Sequence, residues 1–269
     1  RTLDDPALDA AFVGEAVLLP SESFLGDQLA TVDPAAVRAA REALRRRLAH
    51  THAAAWRAVY AACSADRYEQ GPEAKGRRRL RGIALGYLAV GGGGDGLALA
   101  LAQYRAADNM TDRQGALTVL ANGDGAARDA ALADFHERYR ADALVLDKWF
   151  TTQAMSTRED TVDAVMALAR HPDFTIANPN RLRALVGAFA ANQYAFHAAD
   201  GRGYRFVADM ILAADRLNPQ SAARLVPALG RWRRFEPARA ALMRDALDWI
   251  VATPGLSKDV FEQASKSLA

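Results

Sequence analysis

Cysteine, long apolar runs and alternating patterns are scarce or missing in this sequence of 269 residues. Cys63 is its only cysteine, so no disulfide can form within the chain, and the reducing cytoplasm is the expected compartment. No run of about 18 uncharged apolar residues occurs and no signal peptide opens the chain, so no membrane partner is expected. No segment of useful length alternates between apolar and polar residues, which argues against a half-buried β-sheet.

Catalytic motifs are missing as well. The pair His136-Glu137 resembles the start of a zinc-binding helix, but such a helix needs a second histidine four residues after the first, and Arg140 stands there. We therefore interpret His136 as part of an exposed helix surface. The other histidines are two apart or isolated and offer no ligand set: His50, His52, His171 and His197. The sequence predicts no catalytic residue and no metal ligand in this chain.

Two further features have structural interpretations. The Gly91–Gly94 run has no strand before it and no Gly-Lys-Ser/Thr after it, so we interpret it as a loop and not as a phosphate site. Cys63 shares an apolar helical face with Trp56 and Tyr60, which is typical of a buried, inert thiol.

The charge balance gives little support to a nucleic-acid partner. The formal net charge is +2 and the isoelectric point is near 8.8, a small excess for a chain of this length. Arginines cluster at 45–47, 77–81 and 231–234, and 32 acidic residues balance them, which favours ion pairs between helices. We expect an arginine of the third cluster to stack on Trp232.

What the sequence does contain is a long series of short helical patterns between turn signals. Asp33-Pro34, Asn178-Pro179 and Asn218-Pro219 each combine a capping residue with a proline suited to the first helical position. A capping box is predicted at 157–160. The predicted fold is all-α, with about a dozen or more helices forming an irregular superhelical stack of antiparallel pairs, a HEAT/armadillo-like solenoid. No linker divides the chain, so one extended domain over 1–269 is expected.

Gln220 and Arg224 are the polar pair with the clearest geometry. They stand four residues apart at the start of the Asn218-Pro219 helix and so project on one face. With the free N–H groups of that helix, they could bind a carboxylate or a peptide carbonyl. An exposed glutamine and an arginine paired with a neighbouring acid are the alternative, and the residues alone favour it.

Several motifs occur in an order that is specific to one family. They are Leu19-Pro20-Ser21-Glu22, Asn109-Met110-Thr111-Asp112, Leu146-Asp147-Lys148-Trp149-Phe150, Asn178-Pro179-Asn180-Arg181, Gly187-Ala188-Phe189-Ala190, Ala195-Phe196-His197-Ala198, Leu217-Asn218-Pro219-Gln220 and Leu256-Ser257-Lys258-Asp259. Through most of its length the chain resembles the C-terminal helical domain of bacterial aminopeptidase N, a family of zinc-dependent enzymes that remove N-terminal residues from peptides. The Gly91–Gly94 run and Tyr194 depart from the family pattern.

The resemblance implies a non-catalytic domain that encloses the active-site chamber of a larger enzyme. It places the zinc and the catalytic residues in a separate domain upstream, so this chain alone is expected to be inactive and to bind no zinc. The expected partners are that catalytic domain of the same polypeptide and short peptides, which Gln220 and Arg224 help to position. The start at Arg1, with no methionine, agrees with a piece of a longer protein.

Two other hypotheses come from different functional classes. A freestanding helical-repeat scaffold would bind a protein or peptide in its concave groove. An RNA-binding protein would use the arginine clusters and would show a steep dependence of affinity on salt.

Overall fold

A computed structural model describes residues 2–3, 5, 7–91 and 95–269, and within these ranges the protein is helical with a single isolated bridge, Val32 to Phe235. The same ranges hold seventeen α-helices: α1 Ala10–Ala16, α2 Glu22–Asp27, α3 Pro34–Thr51, α4 Ala53–Ala62, α5 Pro72–Val90, α6 Asp95–Ala106, α7 Met110–Ala121, α8 Ala126–Tyr139, α9 Ala143–Ala154, α10 Thr161–Leu168, α11 Pro179–Leu182, α12 Ala188–Ala191, α13 Arg202–Asp215, α14 Pro219–Ala223, α15 Pro227–Gly230, α16 Pro237–Ala252 and α17 Lys258–Leu268. A π-type segment, Arg183–Gly187, joins α11 to α12, and a 3-10 turn, Trp232–Arg234, precedes α16.

Side-chain caps begin the helices at the predicted Asx-Pro positions. Asp33 accepts bonds from the backbone N–H groups of Ala35 and Ala36 at the start of α3. Asn178 and Asn218 cap α11 and α14 in the same way, with a proline at the first helical position of each. These caps satisfy N–H groups that have no partner inside the helix.

Contacts divide the chain into two compact units, residues 1–21 with 39–135 and residues 22–38 with 136–269. In the first unit, Trp56 stacks on Tyr87 at 4.1 Å, and the Trp56 indole N–H donates to the carbonyl of Leu48. Cys63 is buried there as a free thiol, and burial raises its pKa, as expected of an inert cysteine.

The core of the second unit lies among α9, the π-type segment, α13, α16 and α17. Asn192, 3% exposed, ends α12: its amide donates to the carbonyls of Ala154 and Ser156, and its oxygen accepts from two backbone N–H groups. Asp215 at the end of α13 accepts bonds from the backbone N–H and hydroxyl of Ser257, which begins α17. These satisfied polar groups fix where helices of this unit begin and end.

Two local predictions were wrong. The helix predicted to start from the capping box at 157–160 begins later, at Thr161, and the Asp160 carboxylate pairs with Arg158 at 2.8 Å. The helix predicted after Asn218 is interrupted, since α14 ends at Ala223 and α15 begins at Pro227, whose nitrogen has no hydrogen to donate. Of the Gly91–Gly94 run, Gly91 caps the end of α5 and residues 92–94 lie outside the described ranges.

The arginine clusters meet the expectation of ion pairs between helices only in part, since Arg45 of the first cluster pairs with Glu42 of its own helix, α3. Arg77 pairs with Glu69, Arg79 with Glu15, Arg81 with Asp112, and Arg231 with Asp27. Arg233 stacks over the Trp232 ring at 4.1 Å, as predicted. None of the described helices combines the length and apolar composition needed to cross a lipid bilayer.

Candidate functional site

Gln220 and Arg224 lie one helical turn apart on α14. The backbone N–H of Arg224, the residue that caps the end of this helix, donates to the carbonyl of Gln220 at 3.3 Å. Both side chains are exposed, whereas Ala222 between them is fully buried. One side of α14 therefore packs into the second unit and carries the pair on its outer side.

The start of α14 offers fewer free N–H groups beside the pair than expected. The Asn218 side chain accepts the N–H of Ser221, Pro219 has no N–H, and the helix spans only five residues. The predicted contribution of free helix N–H groups is therefore small. Within the described ranges, neither Gln220 nor Arg224 makes a side-chain hydrogen bond or an ion pair, so the guanidinium is available to a ligand.

A buried aromatic cluster lies elsewhere in this unit. The Nδ1 atom of His197 lies 2.8 Å from the Tyr204 hydroxyl, and its ring stacks on Phe235 at 4.3 Å. Burial, reinforced by the nearby charge of Arg239, lowers the pKa of His197 from 6.5 to about 3, and burial raises the pKa of Tyr204. His197 is thus neutral at ordinary pH and serves as a packed hydrogen-bonding group.

A cavity of about 210 Å³ opens beside this cluster. Tyr194, Arg158 and Arg239 are among its lining residues. The guanidinium of Arg38 stacks over the Tyr194 ring, and Arg239 binds Glu236 and the carbonyl of His197. Because these cations already have partners in the protein, the cavity offers a ligand little unpaired positive charge.

The structure also brings together three residues that are distant in sequence. His136 near the end of α8 places Nε2 at 2.6 Å from Oδ2 of Asp173, in the segment after α10. The Nδ1 atom of His171 lies 3.8 Å from the same oxygen. Interpreting His136 as part of an exposed surface was therefore wrong, because its side chain is 20% exposed and packs against Trp149.

The electrostatics of this group follow from burial and hydrogen bonding. The hydrogen bond from His136 lowers the pKa of Asp173, which favours the ionised carboxylate. Burial lowers the pKa of His171 by more than the Asp173 carboxylate raises it. The spacing of His171 and Asp173 around Pro172 is the one weak sequence signal that could have indicated part of this group. His136 lies 37 residues from Asp173 and could not be assigned to the group without the fold.

The described residues thus form an all-helical protein with one isolated bridge, and they carry Gln220 and Arg224 on the exposed side of α14. The family described as "Domain of unknown function (DUF3458_C) ARM repeats" matches residues 1–269, and the chain belongs to this family. The predicted all-α, armadillo-like fold is thereby confirmed.

Named relatives share this region of about 270 residues. Aminopeptidase N of Caulobacter vibrioides is 43% identical over 270 residues, which cover 100% of this chain and 31% of the relative. Aminopeptidase N of Escherichia coli is 37% identical over 266 residues, which cover 98% and 31%. The crystal structure of Legionella pneumophila aminopeptidase A in complex with aspartic acid has a TM-score of 0.92 and 29% identity, covering 99% of this chain and 32% of that one. The chain spans about a third of the length of these relatives, and it matches their C-terminal portion.

Proposed function

We propose that this chain is the non-catalytic helical domain of a zinc-dependent aminopeptidase that removes N-terminal residues from peptides. The observation that supports this is the match of the whole chain to about a third of each aminopeptidase N relative. The sequence has no His-Glu-x-x-His motif, so the zinc and the reaction are proposed to belong to the rest of the enzyme.

In this proposal the partner of the chain is the catalytic domain of the same polypeptide, in the cytoplasm. The helical domain encloses the active-site chamber and restricts entry to short or flexible peptides. Confinement of this kind holds a peptide near the reacting groups. It thereby lowers the entropic part of the activation barrier.

Gln220 and Arg224 are proposed to position the peptide on its leaving side. Both side chains are exposed on α14, and the described residues leave the Arg224 guanidinium without an internal acceptor. An arginine can hold a carbonyl or a C-terminal carboxylate through two parallel N–H bonds, and a glutamine amide can donate to a neighbouring carbonyl.

Comparing the complete enzyme with this chain tests the enzymatic part of the proposal. On an alanyl chromogenic substrate, the complete enzyme is expected to be active and to lose its activity with a zinc chelator, whereas the 269-residue chain is expected to be inactive. Activity in the chain alone would show that it contains an active site. Inactivity of both would favour a freestanding scaffold that binds a protein or peptide.

The positioning role is tested by Arg224→Ala in the complete enzyme, assayed on tripeptides. A charge-assisted hydrogen bond contributes about 1.5 kcal/mol or more, so kcat/KM is expected to fall about tenfold. Gln220→Ala should have a smaller effect, since it removes a neutral hydrogen bond. Arg216→Ala is the matched control, because Arg216 is also an exposed arginine that caps the end of a helix, α13. Equal kinetics for the Arg224 and Arg216 variants would exclude the positioning role.

A further inference from the structure

We infer that His136, His171 and Asp173 form a binding site for a divalent transition-metal ion of the Zn²⁺ type in the second unit. The inference does not depend on the zinc proposed for the rest of the enzyme. The three side chains are the one group of potential metal ligands that the described residues bring together.

The distances between the ligand atoms are close to those of a metal site. All three atoms lie within 4.8 Å of one another. With bonds of about 2.1 Å and tetrahedral angles, the ligand atoms of a zinc site lie about 3.4 Å apart. The 3.8 Å from His171 to Asp173 needs to close slightly, and the 2.6 Å hydrogen bond from His136 to Asp173 needs to open. These two adjustments are each less than about 1 Å. The separation between the His136 and His171 nitrogens, at most 4.8 Å, needs to close by up to about 1.4 Å.

The ligand set determines which ions fit. Two imidazoles and one carboxylate suit Zn²⁺, Co²⁺ and Ni²⁺, whereas Ca²⁺ and Mg²⁺ prefer sites made entirely of oxygen. The side chains of His136, His171 and Asp173 are 20%, 27% and 37% exposed. Water can therefore complete the coordination, as it does at zinc sites with three protein ligands.

The surrounding residues hold the ligands in place. The Trp149 ring lies 4.8 Å from the His136 ring and 5.2 Å from the His171 ring, so a single side chain of α9 packs against both imidazoles. The carbonyl of Asp173 accepts a hydrogen bond from Arg181, which is 5% exposed. Such supporting contacts reduce the ordering cost of binding and are typical of metal sites.

Two existing interactions have to give way or be neutralised. Metal binding at Nε2 of His136 displaces the proton that this nitrogen donates to Asp173. In a neutral imidazole the proton is taken up by Nδ1 of the same ring. In an imidazole that already carries protons on both nitrogens, the Nε2 proton is released to solvent. The metal also takes the lone pair of His171 Nδ1 that accepts the Asp173 N–H at 3.2 Å, a long hydrogen bond. The ion pair of Arg181 with Asp147 offsets part of the nearby positive charge of Arg181.

The test is calorimetric titration of the metal-free, tag-free 269-residue chain with zinc chloride, together with visible absorption spectra of the Co²⁺ form. About one equivalent of Zn²⁺ is expected to bind, Co²⁺ is expected to give the intense bands of a low-coordinate site, and Zn²⁺ is expected to raise the thermal midpoint. Asp173→Asn keeps an acceptor for His136 but removes the charge, and it should weaken Zn²⁺ binding more than tenfold.

His171→Gln provides a second variant should the first fail to fold, and circular dichroism verifies helix content in each. It should weaken Zn²⁺ binding to a similar extent. The matched control is the double variant His50→Gln/His52→Gln, which removes two histidines outside the site and should leave binding unchanged. The inference would be overturned if the parent chain bound no stoichiometric Zn²⁺. It would also be overturned if the Asp173 and His171 variants bound Zn²⁺ as tightly as the parent chain, or if the control variant lost binding.

Discussion

In the second unit, the acid–base properties of a side chain differ most from those in water where the side chain is buried. His197 is the clearest case, because it is 3% exposed, bonded to the Tyr204 hydroxyl and stacked on Phe235. A proton added to this ring would place a positive charge in the interior beside Arg239. The folded state therefore favours neutral His197, and the unfolded state does not.

We predict that His197 makes the protein sensitive to mild acid. Its pKa is about 3 in the folded protein, against the ordinary histidine value of 6.5 in the unfolded chain, so the unfolded chain binds more protons between these values. The stabilisation is complete above about pH 6.5 and is lost as the pH falls towards the folded pKa. Between about pH 7 and pH 4.5, His197 should account for about 2 kcal/mol of lost stability.

The measurement is the free energy of unfolding in urea at these two pH values for the parent chain, His197→Asn and His50→Asn. Asparagine can replace the Nδ1 contact with Tyr204 but does not titrate, so His197→Asn should flatten the pH dependence even if it lowers stability at both values. His50 is exposed, and its variant should keep the full dependence. An undiminished slope in His197→Asn would contradict the prediction.

How well the sequence predicted individual residues depended on how local their partners were. The burial of Cys63 and the exposure of Gln220 and Arg224 followed from helical faces, which are set by neighbours within one or two turns. His136 was misplaced because its partners, His171 and Asp173, come from a segment beyond α10. No periodicity encodes such a contact, since it depends on how helices pack.

At the level of elements, the start of α13 packs closely against neighbouring residues at Gly203. A Cβ atom placed on Gly203 would lie 2.6 Å from the carbonyl oxygen of Phe196 and 3.2 Å from the Phe189 ring. Backbone atoms cannot move aside as the end of a flexible side chain can. The start of α13 therefore needs glycine for steric reasons and not for backbone conformation.

We predict that Gly203→Ala destabilises the protein by about 1–3 kcal/mol, the usual cost of overpacking a core. Gly115→Ala is the matched control, because Gly115 lies inside α7 and a Cβ there meets nothing within 4 Å. That change should be neutral or should stabilise the protein by up to about 1 kcal/mol, since alanine favours a helix. Thermal midpoints of the two variants give the comparison, and an equal effect on both would refute the packing argument.

At the level of elements, strong local signals were reliable and weaker ones were not. The Asp33, Asn178 and Asn218 caps formed as predicted, because an Asx side chain satisfies nearby N–H groups without help from the rest of the fold. The helix predicted from the capping box at 157–160 begins later, at Thr161, and the Asp160 carboxylate there pairs with Arg158. The π-type turn at 183–187 has no counterpart in a 3.6-residue pattern.

The whole chain matches about a third of the length of its relatives. An apolar pattern with short loops was enough to predict an all-α repeat fold, since few other architectures bury such helices. Activity could not be derived in that way, because the residues that carry the reaction are proposed to lie outside this chain. The resemblance in ordered motifs, and not composition, led to the aminopeptidase proposal.

If the helical domain encloses the chamber as proposed, the complete enzyme should discriminate by folding state more than by sequence. We predict that a small folded protein whose N-terminus lies against its surface is cleaved more than about tenfold more slowly than an unfolded variant with the same first residues, since only a flexible chain can reach confined catalytic groups. Release of the N-terminal residue, measured by mass spectrometry at equal substrate concentrations, gives both rates. A short peptide with the same N-terminal sequence serves as the control and should be cleaved at least as fast as the unfolded variant. Equal rates for the folded and unfolded proteins would mean that access is unrestricted, and the enclosing role of these helices would have to be abandoned even if the aminopeptidase activity were established.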